Sequence, residues 1–428
     1  MLVNMILLSG GSGQRLWPLS NSVRSKQFLK LLKNEAGEME SMIQRVYQQI
    51  RQVNSDAKIA IATSLSQVES VRTQLDDGVN IVVEPERRDT FPAIALAVAY
   101  LHYKRSVALD EVVVVMPVDP YTEDLYFHKI MALNQMMQTS EANLGLLGIT
   151  PTYPSSKYGY ILRDGDNIIG FKEKPSEAEA QRLIGQGALW NGGVFVFKVK
   201  YLLEILANYI QFNSYEEVLD QYQKLPKNSF DYEVSEQESK LAMVEYSGSW
   251  KDLGTWKTLT EEIDSQTMGK VIMSPSSKQT HVINELDIPL TVIGAQNLVI
   301  AASPDGILVS DKIESAQLKK YLPQKEQVPM YKESNWGNKK ILDLHDGQAD
   351  TYSTTSLYNI NPNHSIDLEN PHQAEGSITI IEGTGSVEIS GQSYDFHKGS
   401  HFDFDAGDSV KIHSRQAVKL LELLFIEE

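Results

Sequence analysis

Short runs rich in valine and isoleucine recur through the first third of the chain: Val3 to Leu8, Ile59 to Ala62, Val79 to Val83, Val112 to Met116 and Leu144 to Ile149. Each is apolar without polar alternation, the pattern of strands buried on both faces of a mostly parallel sheet. Segments of helical spacing separate them. Residues 40–50 carry Met42, Ile43, Val46, Tyr47 and Ile50 on one face, and Thr90 to Tyr103 forms a second such stretch with Pro92 in its first turn. Strand and helix in alternation specify an open α/β sheet. Ligands of such sheets bind beyond the carboxyl ends of the strands.

The pattern changes after about residue 265. Between Val271 and Val309 brief apolar pieces are separated by Asn284, Pro289, Gly294 and Pro304-Asp305-Gly306, which predicts short strands rather than another α/β unit. Ala316 to Tyr321 predicts a short helix ended by Pro323. From about residue 331 the chain reads as all-β. Gly383, Gly385, Gly391, Gly399 and Gly407 punctuate alternating strands such as Ser386 to Ile389, as in a small barrel or jelly roll. Three domains are expected: 1–265, 266–328 and 329–428.

Charge narrows the function. A formal net charge of -17 repels phosphate backbones, so nucleic acid is not expected as a partner. With no cysteine there is no disulfide, catalytic thiol or thiolate metal site. The apolar start runs straight into Ser9-Gly10-Gly11-Ser12-Gly13 without a basic flank, unlike a signal peptide. No apolar stretch reaches the roughly 18 residues of a membrane span. A cytoplasmic protein without membrane contact is expected.

The strongest local signal is Ser9-Gly10-Gly11-Ser12-Gly13-Gln14-Arg15-Leu16-Trp17-Pro18-Leu19, followed by Lys26-Gln27-Phe28-Leu29. Glycines directly after a buried strand allow close approach of a ligand, and their N–H groups can face phosphate oxygens. Arg15 and Lys26 add fixed positive charge. The loop lacks the Gly-Lys-Ser/Thr ending of a Walker loop, and Leu16 stands where a dinucleotide fingerprint has its third glycine.

This segment resembles the signature of sugar nucleotidyltransferases, and its Trp-Pro-Leu and Lys-Gln-Phe-Leu continuations are similar to those of the mannose-1-phosphate guanylyltransferases. Gln14 stands where that family usually has Thr, and Ser25 where it has Pro. The likeness recurs in order. Glu84 to Ile94 resembles a stretch lining the family's nucleotide site, with Asp89 for Asn and Phe91 for Ala. Met116-Pro117-Val118-Asp119-Pro120 resembles its metal-binding strand end, with Pro120 for His. Tyr158 to Ile161, Phe171 to Pro175 and Trp190 to Phe197 resemble its sugar-phosphate pocket, and Ser249 to Trp256 its second metal carboxylate.

The resemblance implies a nucleotide-diphospho-sugar transferase fold, Rossmann-like, that moves a nucleotidyl group from GTP to mannose 1-phosphate and releases pyrophosphate. It implies catalytic roles for Arg15, Lys26 and Asp119, and nucleotide contacts from Leu8, Gly10, Gly11, Gly13, Arg88 and Asp89. It implies sugar-phosphate contacts from Gly159, Glu173, Lys174 and Asn191, and Mg²⁺ on Asp119 and Asp252. For Asp89, a carboxylate stabilising a helix N-terminus is an equal reading. Residues 270–322 resemble the short β-helical segment that commonly forms homodimers in bacterial guanylyltransferases.

Residues 331–428 resemble the cupin of phosphomannose isomerases, but only His372 and Glu375 of its ligand set remain, with Asn370 and Val410 in ligand positions. Two ligands rarely hold a divalent ion against water. The expectation is a cupin without catalytic metal or isomerase activity, with His364, His397, His401 and His413 as the source of any rearranged site. Two other readings stay open: transfer to another hexose 1-phosphate or from another base, and a non-catalytic paralogue that binds nucleotide sugars.

Overall fold

The computed structural model describes residues 2–11, 14–76, 78–165, 167–322, 327–346, 351–369 and 374–427. The chain divides into two compact units. The first comprises residues up to Gly11 and Gln27–Gly254; the second comprises residues 12–26 and Thr255 onwards. Gly13, one of the expected nucleotide contacts, lies outside the described residues, as do Asn370 and His372 of the degraded ligand set.

The first unit is built on a mixed nine-stranded sheet. Its strands are β1 (Asn4–Leu8), β2 (Lys58–Ser64), β3 (Asn80–Glu84) and β4 (Val112–Pro117), then β6 (Leu144–Ile149), β7 (Tyr160–Asp164), β8 (Asn167–Lys172), β9 (Leu189–Lys198) and β10 (Leu241–Tyr246); β5 (Pro120–Thr122) and β11 (Trp250–Asp252) pair separately. The order runs β8-β7-β9-β4-β1-β2-β3, with β6 between β9 and β10. β3, β2, β1 and β4 are parallel, and β9 runs against β4. The expected apolar runs all fall in these strands, and most of their side chains are buried because helices cover the faces.

The covering helices start where their caps dictate. α1 (Met42–Val53) begins two residues later than its apolar spacing suggests, because Ser41 and Gln44 close a capping box. α2 (Thr90–Arg105) has Phe91 through Ala99 buried all round, the signature of a helix inside the core. It packs with β1, β2, Val113, Val115 and Phe197 and against α4 (Val199–Leu206); α3 (Asp124–Thr139) contacts β4 and β6.

The second unit has two parts. Thr267–Gly269, His281–Asn284 and Leu298–Ser303 stack in parallel, and Val271–Met273 stacks on Leu290–Val292. These are successive turns of a short β-helix around Val282, Val292 and Ile300. The predicted helix at 316–321 is a 3₁₀ helix, Glu314–Lys320. Beyond it lie a six-stranded and a four-stranded sheet paired antiparallel throughout, with Ile378, Ile380, Val387, Ile412 and Leu420 between them. This is the all-β, cupin-like region that the glycine punctuation marks. Among the described residues no helix is long and apolar enough to cross a membrane.

Phe197 is fully buried, with Phe230 stacked on it at 5.7 Å. Phe197→Ala should destabilise the first unit by about 3–5 kcal/mol, measured as a lowered midpoint in urea unfolding followed by circular dichroism.

Candidate active site

The carboxyl ends of β1, β2, β3 and β4 meet around a cavity of about 390 Å³. Leu8, Gly10 and Gly11 line it after β1, and Ala62 and Ser64 at the end of β2. Glu84, Arg87, Asp89, Thr90 and Ala93 come from the end of β3 and the start of α2. Pro117, Val118 and Asp119 follow β4, and Gln27 completes the wall. The volume is within the range of small-ligand sites. Of the expected nucleotide residues, Leu8, Gly10, Gly11 and Asp89 are thus gathered in one place with Asp119.

The glycine turn is held from beneath. Thr63 Oγ1 donates to Ser9 O at 3.0 Å, Gln67 Nε2 to Gly11 O at 3.1 Å, and Gln27 Nε2 to Ser9 O at 3.3 Å. Buried side chains thus tie down the carbonyls of Ser9 and Gly11 at the start of the turn. Gly11 has φ +123°, and among the described residues nothing lies within 4 Å of a Cβ built at Gly10 or Gly11.

Arg88 lies apart from this wall. Its guanidinium donates to Leu225 O at 2.9 and 3.2 Å and pairs with Glu86 at 2.5 Å. Arg87, its neighbour, lines the cavity instead. Asp89 combines both readings offered for it. It lines the cavity, and at φ 71° its carboxylate accepts from Thr90 N at 2.8 Å, capping α2. Glu84 accepts from Tyr222 Oη at 2.8 Å, and burial raises its pKa.

Asp119 and Asp252 are brought together by strand pairing. β11 runs against β5 with Asp252 opposite Pro120, the residue after Asp119. Both carboxylates act on the Tyr158 phenol, which burial, Tyr153 and then these two charges hold above its ordinary range. Asp252 is folded tightly over Gly254, where a Cβ would lie 2.8 Å from its Oδ1. A pair of carboxylates suits Mg²⁺, which takes its remaining ligands from water and substrate phosphate. Among the described residues no group of three or more His, Asp or Glu could hold a metal by itself.

The expected sugar-phosphate residues form a second cluster. Lys174 Nζ donates to Glu173 Oε1 at 2.6 Å, Lys174 N to Tyr158 O at 3.2 Å, and Asn191 N to Gly159 O at 2.8 Å. Gly159 has no room for a side chain: a Cβ would lie 2.5 Å from Glu173 Oε2. Burial works to lower the Lys174 pKa, but the bond to Glu173 and the charges of Glu173, Asp231 and Tyr232 together raise it. Two carboxylates that the motifs did not single out belong here. Asp231 Oδ1 accepts from Asn191 Nδ2 at 2.8 Å, and Glu236 Oε1 accepts from Glu173 N at 2.8 Å. Tyr158, Trp190 and Trp250 pack edge to face between this cluster and Asp252, with centroids 5.0 and 5.3 Å apart.

Arg15 is exposed in the single turn Gln14–Leu16, and Lys26 immediately precedes Gln27; both group with the second unit. In the barrel, Glu375 is exposed and Val410 buried. The four histidines are tied to separate local partners: His364 to Pro362 O, His397 to Ser400, His401 to Thr379 and Asp403, and His413 to Ser365. Among the described residues they do not assemble into one site.

Residues 4–268 match the nucleotidyl transferase family. The chain is 25% identical to the mannose-1-phosphate guanylyltransferase of Klebsiella pneumoniae over 91% of its own length and 88% of that protein's. It is 27% identical to a putative mannose-1-phosphate guanylyltransferase of Vibrio cholerae, covering 90% and 88%. A crystal structure from Thermus thermophilus, described as a mannose-1-phosphate geranyltransferase, superposes with a TM-score of 0.61 at 28% identity, over 74% of this chain and 97% of that one.

Burial and the neighbouring Glu173 push the Asp231 carboxyl from its ordinary 3.8 up to about 7. A carboxyl raised in the folded state favours folding while protonated, and that contribution is lost as pH climbs from the unfolded value through the folded one. Asp231→Asn cannot ionise. Thermal unfolding at about pH 4 and about pH 8 should therefore show the stability gap moving in the variant's favour at the higher pH; a gap independent of pH contradicts the shift.

Proposed function

The chain belongs to the nucleotidyl transferase family and is an enzyme of that type, and we propose that it converts GTP and α-D-mannose 1-phosphate to GDP-mannose and pyrophosphate. The observation that carries this reading is the convergence of Asp119, Asp252 and the glycine turn with a separate Glu173–Lys174–Asn191 cluster. A phosphate site and a polyol site side by side are what joining a nucleotide to a sugar phosphate requires. The names of the relatives supply the sugar and the base.

The reaction is an in-line displacement: a phosphate oxygen of the sugar 1-phosphate attacks the α-phosphorus, and pyrophosphate leaves. No protein nucleophile takes part. The work of the protein is to hold two mutually repelling anions in line and to stabilise the charge that builds between them. The N–H groups of Gly10 and Gly11 bind the triphosphate, with Gly13 the third contact expected from the motif, and Arg15 and Lys26 stabilise charge on the reacting phosphorus and the leaving group. Leu8, Arg87 and Asp89 belong to the nucleoside side, with the Asp89 carboxylate an acceptor for a guanine N–H. Glu173 accepts from sugar hydroxyls, Lys174 pairs with the sugar phosphate, and Asn191 donates and accepts. Asp119 and Asp252 would hold Mg²⁺, whose charge when bound offsets that of the two phosphates.

Pyrophosphate release measured with GTP, ATP and UTP against several sugar 1-phosphates tests the assignment. GTP with mannose 1-phosphate should give the highest kcat/KM, and chelation of divalent ions should abolish turnover. Arg15→Ala should lower kcat by roughly 10³; a variant keeping more than about a tenth of the rate, where one order of magnitude is only ~1.4 kcal/mol, removes Arg15 from the chemistry.

A further inference from the structure

The chain leaves the first unit after Gly11 and rejoins it at Gln27, both cavity-lining residues, yet what lies between is built into the second unit. The Gln14–Leu16 turn packs on the 3₁₀ helix Glu314–Lys320. Trp256 Nε1 donates to Trp17 O at 3.2 Å, and Ser303 Oγ to Pro18 O at 2.6 Å. The Trp17 indole lies so close over Gly306 that any Cβ there would strike it. Asn21 Oδ1 accepts from Val23 N and Arg24 N at 3.0 and 2.8 Å, while its Nδ2 donates to Asp305 Oδ2 at 2.9 Å.

Arg24 is the centre of this joint. Its guanidinium makes a two-pronged bond to Glu285, 2.9 and 3.0 Å, with the Arg24 side chain 14% exposed. It lies over the Tyr331 ring at 5.4 Å. Glu285 follows a β-helix strand, and Tyr331 opens the barrel. The neighbouring Met330 N donates to Asp305 Oδ1 at 2.7 Å, so loop, β-helix and barrel are fastened at one point. A half-buried ion pair adds little net stability, but a planar, bidentate one fixes orientation.

We propose that Arg24, gripped by Glu285 and Tyr331, is a positioning residue: through it the β-helix and the barrel set the segment that carries Arg15 and Lys26. The barrel thereby serves nucleotidyl transfer, whether or not it has chemistry of its own. The inference rests on the nucleotidyl-transfer reading and on the roles given there to Arg15 and Lys26. No group of the sugar cluster lies in this segment, so the effect should be specific to one substrate.

The test uses the full chain carrying Glu285→Gln, Tyr331→Ala or Tyr331→Phe. In Glu285→Gln and Tyr331→Ala, kcat should fall about ten- to a hundredfold, as small misplacements of catalytic groups do. The KM for mannose 1-phosphate should stay put, and Tyr331→Phe, which keeps the ring face, should retain the wild-type kcat. Trypsin should also cut faster after Arg15 and Lys26 in the two impaired variants, read by mass spectrometry. Wild-type kcat in both overturns the proposal. So does a fall in kcat matched by a rise in sugar-phosphate KM and a loss of folded protein, which marks a merely structural role. Should Glu285→Gln fail to fold, the comparison of Tyr331→Ala with Tyr331→Phe decides alone. If the wild-type chain releases no pyrophosphate, the functional reading falls, and the trypsin map then decides the joint by itself: faster cleavage upholds it and unchanged cleavage overturns it.

Discussion

The parallel pairing of β1 with β4 is the constraint from which the site follows. Leu8 stands opposite Pro117, so the glycine turn and the Val118–Asp119 strand end leave the sheet side by side. The antiparallel pair β5–β11 then brings Asp252 to the same corner from a distant part of the chain, Asp252 facing Pro120. Backbone register thus places both carboxylates. A one-residue slip in the β5–β11 pair would turn Asp252 to the other face of its strand. The parts expected to contact reactants, the turn and the start of α2, are short extensions of that sheet.

Much of this was legible in the residues. Unbroken Val and Ile runs marked the central strands because a doubly covered strand has no polar side to interrupt it. The glycine turn, Asp119 and the Glu173–Lys174 pair stood out because they sit in contiguous motifs. The supports of these groups did not stand out. Gln67 and Thr63 hold the turn from a strand and helix start with no motif character, and Asp231 meets Asn191 from 40 residues further on. Single polar residues whose partners are remote in sequence carry no local pattern. Arg87 and Arg88 show a second kind of limit. Adjacent arginines look alike in a string, and only the path of the backbone decides that one lines the cavity while the other reaches Leu225 O.

The aromatic triad of Tyr158, Trp190 and Trp250 is where the two clusters share a wall. Each ring sits next to a polar residue of interest: Trp190 precedes Asn191, Trp250 lies two before Asp252, and Tyr158 O accepts from Lys174 N. Edge-to-face contacts set the relative orientation of the rings, with Trp190 buried and Tyr158 and Trp250 half-buried. The Tyr158 phenol is kept neutral by burial and by the carboxylates beside it.

The excursion of residues 12–26 also bears on how such chains are assembled by recombination. The join at 254/255 looks like a place where one C-terminal half could be exchanged for another, since the sheet is complete before it. Yet fifteen residues near the start of the chain count with the half beyond that join, and Arg24, Asn21 and Trp17 are fitted to Glu285, Asp305 and Gly306. A chimaera cut there would inherit a lock from one parent and a key from the other. The two halves must drift together, substitution by compensating substitution, although hundreds of positions separate them along the gene.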